Sequence, residues 1–259
     1  MSPETLGQRL EFAVDLAFRA GRITLAHFQN GVVVEIKSDA SPVTIADRAA
    51  EMFLRERIET AFPGDGIVGE EFGMVRTGAP RRWILDPIDG TRSFVRGVPL
   101  YGILIALEDN GEPLLGVIHL PALGETIWAA TGLGCWWNGR RARVSATERI
   151  GDALVVTSDA ESFERHGRAE GWNRLRRVAG ICRTWGDCYG YALVATGRAE
   201  AMIDPVLSVW DAAAILPIIR EAGGVVTSLN GTATHEAGSL VATNSALAAE
   251  IRQALGMTT

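Results

Sequence analysis

Hydrophobic residues in the first thirty positions recur every three or four places, which is the spacing of one face of a helix. They are Leu6, Leu10, Val14, Ala17 and Leu25, with the small residue Gly21 at the same spacing. This spacing predicts one long amphipathic helix, which Gly31 ends, and then a strand over 32–36. Ser41-Pro42 has the residue types of a helix cap and first turn. Hydrophobic positions between 46 and 58 then predict a second helix that runs to Pro63.

From residue 66 to about 144 the pattern changes to short apolar runs separated by turn residues. Strands are predicted at 83–85, 101–107, 114–120 and 125–130. Asp109-Asn110-Gly111 has the composition of a tight turn between the second and third of these strands. Consecutive strands joined by turns favour antiparallel pairing, so this part of the chain is predicted to form an antiparallel sheet.

After a loop near residue 145, predicted strands alternate with predicted helices. The strands are at 154–156, 180–182, 201–203, 225–227 and 240–242, and the helices include 189–196, a segment that Asp211 begins and Gly223 ends, and 246–255. The whole pattern predicts a mixed, layered α+β fold. We expect two lobes, residues 1–145 and 146–259, that meet near residue 145.

Composition limits the kinds of partner. The chain has 259 residues, of which 47% are hydrophobic, so it is long enough to bury a large core. Its formal net charge of −6 argues against nucleic-acid binding, which needs a basic face. An anionic substrate is still compatible with this charge, because bound metal ions can invert the local field of an acidic protein.

The cysteines and the apolar runs indicate the compartment. Cys135, Cys182 and Cys188 are odd in number and lack a C-x-x-C spacing, so we expect reduced thiols rather than a disulfide framework. No segment approaches the ~18 consecutive apolar residues of a membrane span, and no basic and apolar leader opens the chain. We therefore expect a cytoplasmic protein that does not bind membranes.

The strongest chemical signal is at residues 83–91, where an apolar strand is followed by two carboxylates three positions apart, Asp86 and Asp89. Pro87 stiffens the turn between them, and Gly90 permits a close backbone approach. Carboxylates in this arrangement can bind one hard cation, and the intervening carbonyl can add a third oxygen. The free amides that follow could hold a phosphate oxygen.

The alternative is that Asp86 and Asp89 only cap a turn, where Asp is favoured for its local hydrogen bonds. Two further features favour a functional site. Glu70 and Glu71 follow a short predicted strand, and Asp211 stands at the start of a predicted helix. Asp211 taken alone would be an ordinary helix N-cap, so the interpretation depends on all the acids together.

In their order and spacing, these motifs resemble the inositol monophosphatase family. The motifs are Gly-Glu-Glu at 69–71, Asp-Pro-Ile-Asp-Gly-Thr at 86–91 and Trp-Asp at 210–211, with further likeness at 37–47 and 221–224. The resemblance covers nearly the whole chain. It implies a layered α-β-α-β-α sandwich and a Mg²⁺-assisted hydrolysis of a phosphomonoester, with two or three Mg²⁺ ions per site and inhibition by Li⁺.

The resemblance also implies roles for individual residues. Glu70, Asp86 and the Ile88 carbonyl would hold a first metal ion, and Asp86, Asp89 and Asp211 a second. Glu70 would also orient the attacking water. Thr91, hydrogen-bonded to Asp47, would help to remove the proton from this water, and the amides of Gly90 and Thr91 would bind the phosphate.

Residues 89–99 and 185–191 look like the histidinol-phosphatase branch of the family, in which the segment around Asp187 lines the pocket for the organic part of the substrate. An acid there can pair with the ammonium group of histidinol phosphate, whereas inositol offers only neutral hydroxyls. Asp204 stands where inositol-specific members have Glu. The predicted substrate contacts are thus Asp187, Asp204 and Asp211, although Asp187 could equally be the N-cap of the 189–196 helix.

Three functions are compatible with these sequence features. The first is a histidinol-phosphate phosphatase of histidine biosynthesis. The second is an inositol-1-monophosphatase or a broad phosphatase of small phosphorylated metabolites. The third is a regulatory binding protein that keeps the fold without catalysis, which a complete set of metal-binding residues disfavours. The resemblance also suggests a homodimer.

Overall fold

The computed structural model describes residues 2–38 and 40–257. The helices among these residues are α1 Pro3–His27, α2 Ile45–Ala61, α3 Thr91–Val95, α4 Ser162–Arg165, α5 Ala169–Val178, α6 Cys188–Ala195, α7 Val209–Ala213, α8 Ile215–Glu221 and α9 Ala248–Leu255. The long amphipathic first helix is confirmed. No helix of the described part of the chain is both long and apolar enough to cross a bilayer.

An eight-stranded sheet occupies the first half of the chain. In spatial order its strands are β10 Arg140–Arg141, β9 Gly134–Trp137, β8 Glu125–Ala130, β7 Glu112–Leu120, β6 Gly102–Asp109, β5 Arg81–Asp89, β3 Gly66–Gly69 and β4 Gly73–Val75. All neighbours are antiparallel except β3 and β5, which are parallel. The predicted turn is present between β6 and β7, where Asn110 and Gly111 both have positive φ.

A five-stranded mixed sheet occupies the second half. Its order is β12 Ile181–Arg183, β11 Leu154–Val156, β13 Ala201–Asp204, β15 Leu240–Thr243 and β14 Val225–Thr227. The central strand β13 is parallel to β11 and antiparallel to β15. A separate two-stranded sheet pairs β1 Val34–Ile36 with β2 Pro42–Thr44.

The two large sheets and the helices stack in five layers. One hydrophobic cluster joins α1 and α2 to the outer face of the eight-stranded sheet, and a second fills the space between the two sheets around α6, α7 and α8. A third joins α5 and α9 to the far face of the five-stranded sheet. The predicted α-β-α-β-α sandwich is confirmed.

Strand β5 shows how the sequence directs side chains to these layers. Trp83 and Leu85 belong to the cluster under α1 and α2, while Ile84 belongs to the cluster between the sheets. Successive residues of a strand face opposite sides, so Asp86 follows Ile84 onto the inner face. The pairing of β5 with β6 then shifts register between Asp86 and Asp89. The two acids are therefore placed at the carboxyl end of a buried strand.

The starts of two helices differ from the prediction. Pro42 lies in β2, and α2 is capped by Thr44, whose amide donates to Asp47 Oδ2 at 2.8 Å while its Oγ1 accepts from the Ala46 amide. Ser41-Pro42 was therefore the wrong start. Likewise, Asp211 is not the first residue of its helix, because Ser208 is the cap of α7.

The predicted helix that was to end at Gly223 is divided into α7 and α8. Pro217 explains the break, because it has no amide with which to bond the carbonyl of Ala213.

Candidate active site

Three carboxylates from two elements meet between the sheets. Asp86 and Asp89 come from the end of β5, and Asp211 comes from α7. Each offers one oxygen, and the three oxygens lie within 4.8 Å of one another. The side chains predicted to share a metal ion are thus brought together by the fold.

A backbone amide orients each of these carboxylates. The Ile88 amide donates to Asp86 Oδ1 at 3.0 Å, and the Ser208 amide donates to Asp211 Oδ2 at 2.8 Å. The amide of Cys188, the first residue of α6, donates to Asp89 Oδ2. One oxygen of each carboxylate is therefore held in place by a backbone amide.

Glu70 follows β3, the parallel neighbour of β5, so it stands at the same edge of the sheet. Its Oε1 accepts a bond from Lys37 Nζ at 2.7 Å, and the same ammonium donates to Glu71 Oε1 at 2.5 Å. The glutamate is half-buried, and burial raises its pKa while Lys37 lowers it. Lys37 thus offsets part of the negative charge on this side of the site.

Thr91, the first residue of α3, lies close to Asp47, its predicted hydrogen-bond partner. Its Oγ1 lies 3.4 Å from Asp47 Oδ1 and 2.9 Å from the Ile88 carbonyl oxygen. A hydroxyl has one proton, so the two acceptors compete for it, and the shorter contact favours Ile88. Asp47 is fully buried, and its other oxygen is held by the amide and hydroxyl of Thr44.

Asp187 lies next to this turn. Gly90 precedes Thr91 with φ 86°, and a Cβ built there would lie 2.8 Å from Asp187 Oδ2, so only glycine fits. Asp187 occupies the N-cap position of α6, but its side chain makes no capping hydrogen bond. Burial, together with the charges of Asp204 and Asp211, raises the pKa of Asp187 to about 7.

The model of the inositol monophosphatase family matches residues 6–257. The chain belongs to this family. It is 45% identical over 249 residues to a histidinol-phosphatase of Chlorobaculum parvum (95% of this chain, 96% of the relative). It is 37% identical over 254 residues to an inositol-1-monophosphatase of Rhizobium meliloti (95% of each).

A solved structure shows the same architecture. The extragenic suppressor protein suhB of Bartonella henselae superposes with a TM-score of 0.89 at 30% identity, covering 96% of this chain and 98% of that one. Inositol monophosphatase family proteins are metal-dependent phosphatases of small phosphorylated substrates. The predicted family and the predicted fold are therefore both confirmed.

The electrostatics of the family site fit a divalent cation. Burial raises the pKa of Asp86 and of Asp89 well above the ordinary value, and neighbouring carboxylates raise both further. Burial also raises the pKa of Asp211 to about 6. Among the described residues, the ion pairs nearby are those of Lys37 with the two glutamates, and none involves the three aspartates. Hard cations prefer such oxygen ligands, so the donor set suits Mg²⁺.

Asp204 differs from the other predicted substrate contacts. It is 2% exposed, and four protein donors surround its carboxylate. They are the Ser158 amide at 2.9 Å, Ser158 Oγ at 3.0 Å, the Tyr191 hydroxyl at 3.0 Å and Thr157 Oγ1 at 3.3 Å. This geometry favours a supporting role behind the pocket.

Ser158, which makes two of these four contacts, was not among the residues predicted from the sequence. It follows β11, and polar residues at the carboxyl ends of parallel strands commonly form binding sites. A polar residue just after a predicted strand was the feature of the sequence that could have identified Ser158. Lys37 was noticed only as part of a motif, and its pairing with Glu70 was not predicted.

Proposed function

We propose that this chain is a Mg²⁺-dependent histidinol-phosphate phosphatase, which converts L-histidinol phosphate and water to L-histidinol and phosphate. The observation that carries the proposal is the carboxylate of Asp187. It has no hydrogen-bond partner among the described residues, and it faces Gly90, beside the aspartate cluster. A negative group in this position suits a phosphate ester whose organic part carries an ammonium group.

The cluster supports the metal part of the proposal. Glu70, Asp86 and the Ile88 carbonyl would hold one Mg²⁺ ion, and Asp86, Asp89 and Asp211 another, with two or three ions in all. When bound, Mg²⁺ supplies a water of lowered pKa and neutralises charge on the phosphoryl group. Lys37 would have to release Glu70 Oε1 before this oxygen could serve as a ligand.

The remaining steps belong to side chains and amides of the chain. The Gly90 and Thr91 amides, at the start of α3, would donate to the phosphate oxygens. Glu70 would orient the attacking water. The proton of this water would pass to Thr91 Oγ1. The hydroxyl's own proton would turn away from the Ile88 carbonyl oxygen, which the cation would need, and go to Asp47 Oδ1 at 3.4 Å. No covalent intermediate with the protein is required.

Two observations favour histidinol phosphate over inositol phosphate. The identity to the Chlorobaculum histidinol-phosphatase, 45%, is higher than the 37% to the Rhizobium inositol-1-monophosphatase. In addition, the carboxylate of Asp204, at the position where inositol-specific members have Glu, is already satisfied by donors of the protein. Inositol 1-phosphate hydrolysis is the second candidate, since relatives with that name are similar along the whole chain. A homodimer in the cytoplasm remains our expectation.

The test is to measure kcat/KM with Mg²⁺ for L-histidinol phosphate, myo-inositol 1-phosphate, a nucleotide 3′-phosphate and fructose 1,6-bisphosphate. We expect a preference of about a hundredfold or more for histidinol phosphate. This corresponds to about 3 kcal/mol, the size of one charge-assisted hydrogen bond in a buried site. Asp187→Asn should raise KM for histidinol phosphate more than for the three esters whose organic part carries no ammonium group.

Comparable rates on the four esters would leave a broad phosphatase and contradict the assignment to histidinol phosphate. Failure to hydrolyse any of them would favour the regulatory binding protein. Equal effects of Asp187→Asn on KM for histidinol phosphate and for the esters without an ammonium group would show that this residue does not recognise that group.

A further inference from the structure

Asp187 has a backbone conformation that is unusual for a residue with a side chain. Its φ is 53° and its ψ is −153°. Positive φ combined with ψ near ±150–180° is a region populated almost only by glycine, and a non-glycine residue there costs about 1–3 kcal/mol. Such a conformation persists only where the surrounding structure holds it, so its contacts indicate what maintains it.

A serine on another segment holds the amide of this residue. The Asp187 amide donates to Ser158 Oγ at 2.9 Å, and Ser158 Oγ donates to Asp204 Oδ2 at 3.0 Å. The single proton of the hydroxyl is directed to the carboxylate, so a lone pair remains to accept from the amide. The direction of both hydrogen bonds is thus fixed, from the Asp187 amide to Ser158 Oγ and from Ser158 Oγ to Asp204 Oδ2.

Asp204 is in turn fixed by its other donors. The Ser158 amide holds Oδ1, and the Tyr191 hydroxyl shares Oδ2 with Ser158 Oγ. With these partners and 2% exposure, Asp204 has no free oxygen for a substrate. Its negative charge instead strengthens the bond from the serine hydroxyl.

The residues on either side restrict Asp187 further. The Cys188 amide donates to Asp89, so the following peptide is tied to the aspartate cluster. On the other side, a Cβ at Gly186 would lie 2.3 Å from the Cα of Ser158, which shows that the two backbones are in close contact. Both peptides around Asp187 are therefore held, and its Oδ2 lies against the turn at Gly90.

We propose that Ser158 and Asp204 are positioning residues, which hold Asp187 in a glycine-like conformation and so aim its carboxylate at a cationic substrate. The part of this inference that concerns the substrate rests on the proposed function. The part that concerns the backbone can be tested without any substrate.

The backbone part is tested by comparing two substitutions that both remove the carboxylate. Asp187→Gly suits positive φ, whereas Asp187→Ala does not. We expect the glycine variant to unfold at the higher temperature, by about 2–4 °C for each kcal/mol of relieved strain. In a Ser158→Ala background the backbone is free to relax, so this difference should shrink. Equal melting temperatures of the glycine and alanine variants would overturn the inference.

The substrate part is tested by a double-mutant cycle. Ser158→Ala should raise KM for L-histidinol phosphate about tenfold and change that for 4-nitrophenyl phosphate much less, as expected for loss of one bond to a charged group. In an Asp187→Asn background, the same substitution should have little further effect. A full effect in that background would mean that Ser158 contacts the substrate itself, which contradicts a positioning role.

Tyr191→Phe provides a milder variant in case Ser158→Ala does not fold. It removes one donor from Asp204 and leaves the serine in place, so it should change KM in the same direction by a smaller factor. An unchanged KM would count against the network. If the wild-type protein did not hydrolyse histidinol phosphate, the proposed function would fail, while the melting comparison would still decide the backbone part.

Discussion

Burial of the Asp211 carboxylate predicts that removing its charge stabilises the metal-free protein. The pKa of Asp211 is about 6 in the folded chain, against an ordinary value of 3.8, and burial is the main cause. Since the folded-state pKa is the higher one, the contribution of this group to stability is complete below about pH 4 and is lost as the pH rises through 6. At pH 8 the loss amounts to about 3 kcal/mol, at about 1.4 kcal/mol per pKa unit.

Asp211→Asn removes this cost, because the amide stays neutral and keeps an oxygen that can accept the Ser208 amide. In excess chelator at pH 8, the variant should exceed the wild type by up to about 3 kcal/mol in free energy of unfolding, or about 6–12 °C in melting temperature. At pH 5 the difference should fall to about 1.5 kcal/mol. Adding MgCl₂ should then stabilise the wild type and have little effect on the variant.

Urea denaturation with chelator at pH 5 and pH 8 measures both differences. Glu164→Gln, which removes an exposed carboxylate from α4, is the control and should change stability little at either pH. A variant Asp211→Asn that is less stable than the wild type at pH 8 would refute the reasoning. So would a difference that does not depend on pH.

Two further substitutions test the site and its support. Asp89→Asn should lower kcat/KM by about a hundredfold or more without lowering the melting temperature, because it removes a cation ligand rather than core packing; retained activity would contradict its role. Gly116→Ala should cost at least about 3 kcal/mol, because the new Cβ would lie 2.0 Å from the carbonyl oxygen of Ala214, next to α7. Gly7→Ala in α1 is its control, because the nearest atom to the new Cβ would be a methyl at 3.8 Å. This change should be neutral or should stabilise the protein by about 0.5–1 kcal/mol. Equal losses of stability in both variants would contradict this explanation.

The sequence was sufficient where structure depends on neighbours in the chain. The alternation along β5 separates Trp83 from Ile84 and carries Asp86 to the inner face, and this pattern is visible in the sequence. The turn at Asn110-Gly111 is local for the same reason. The layers and the three acidic segments were therefore predictable.

What the sequence did not reveal depends on contacts between distant segments. Ser158 is 29 residues from Asp187 and 46 from Asp204, and neither separation has a sequence signature. The start of α2 was misplaced for a related reason. Thr44 and Asp47 form a capping box, but Ser41-Pro42 also has favourable residue types, and only the pairing of β1 with β2 decides between them. Competing local signals were thus resolved by tertiary structure.

In the proposed function, the cluster of Asp86, Asp89 and Asp211 binds the cation on which phosphate-ester hydrolysis depends. The most direct test is to measure phosphate release from L-histidinol phosphate by protein freed of metal with a chelator, and then to titrate Mg²⁺ back. We predict no measurable release in excess chelator and a saturable recovery as Mg²⁺ is added. Full activity in excess chelator would contradict the claim.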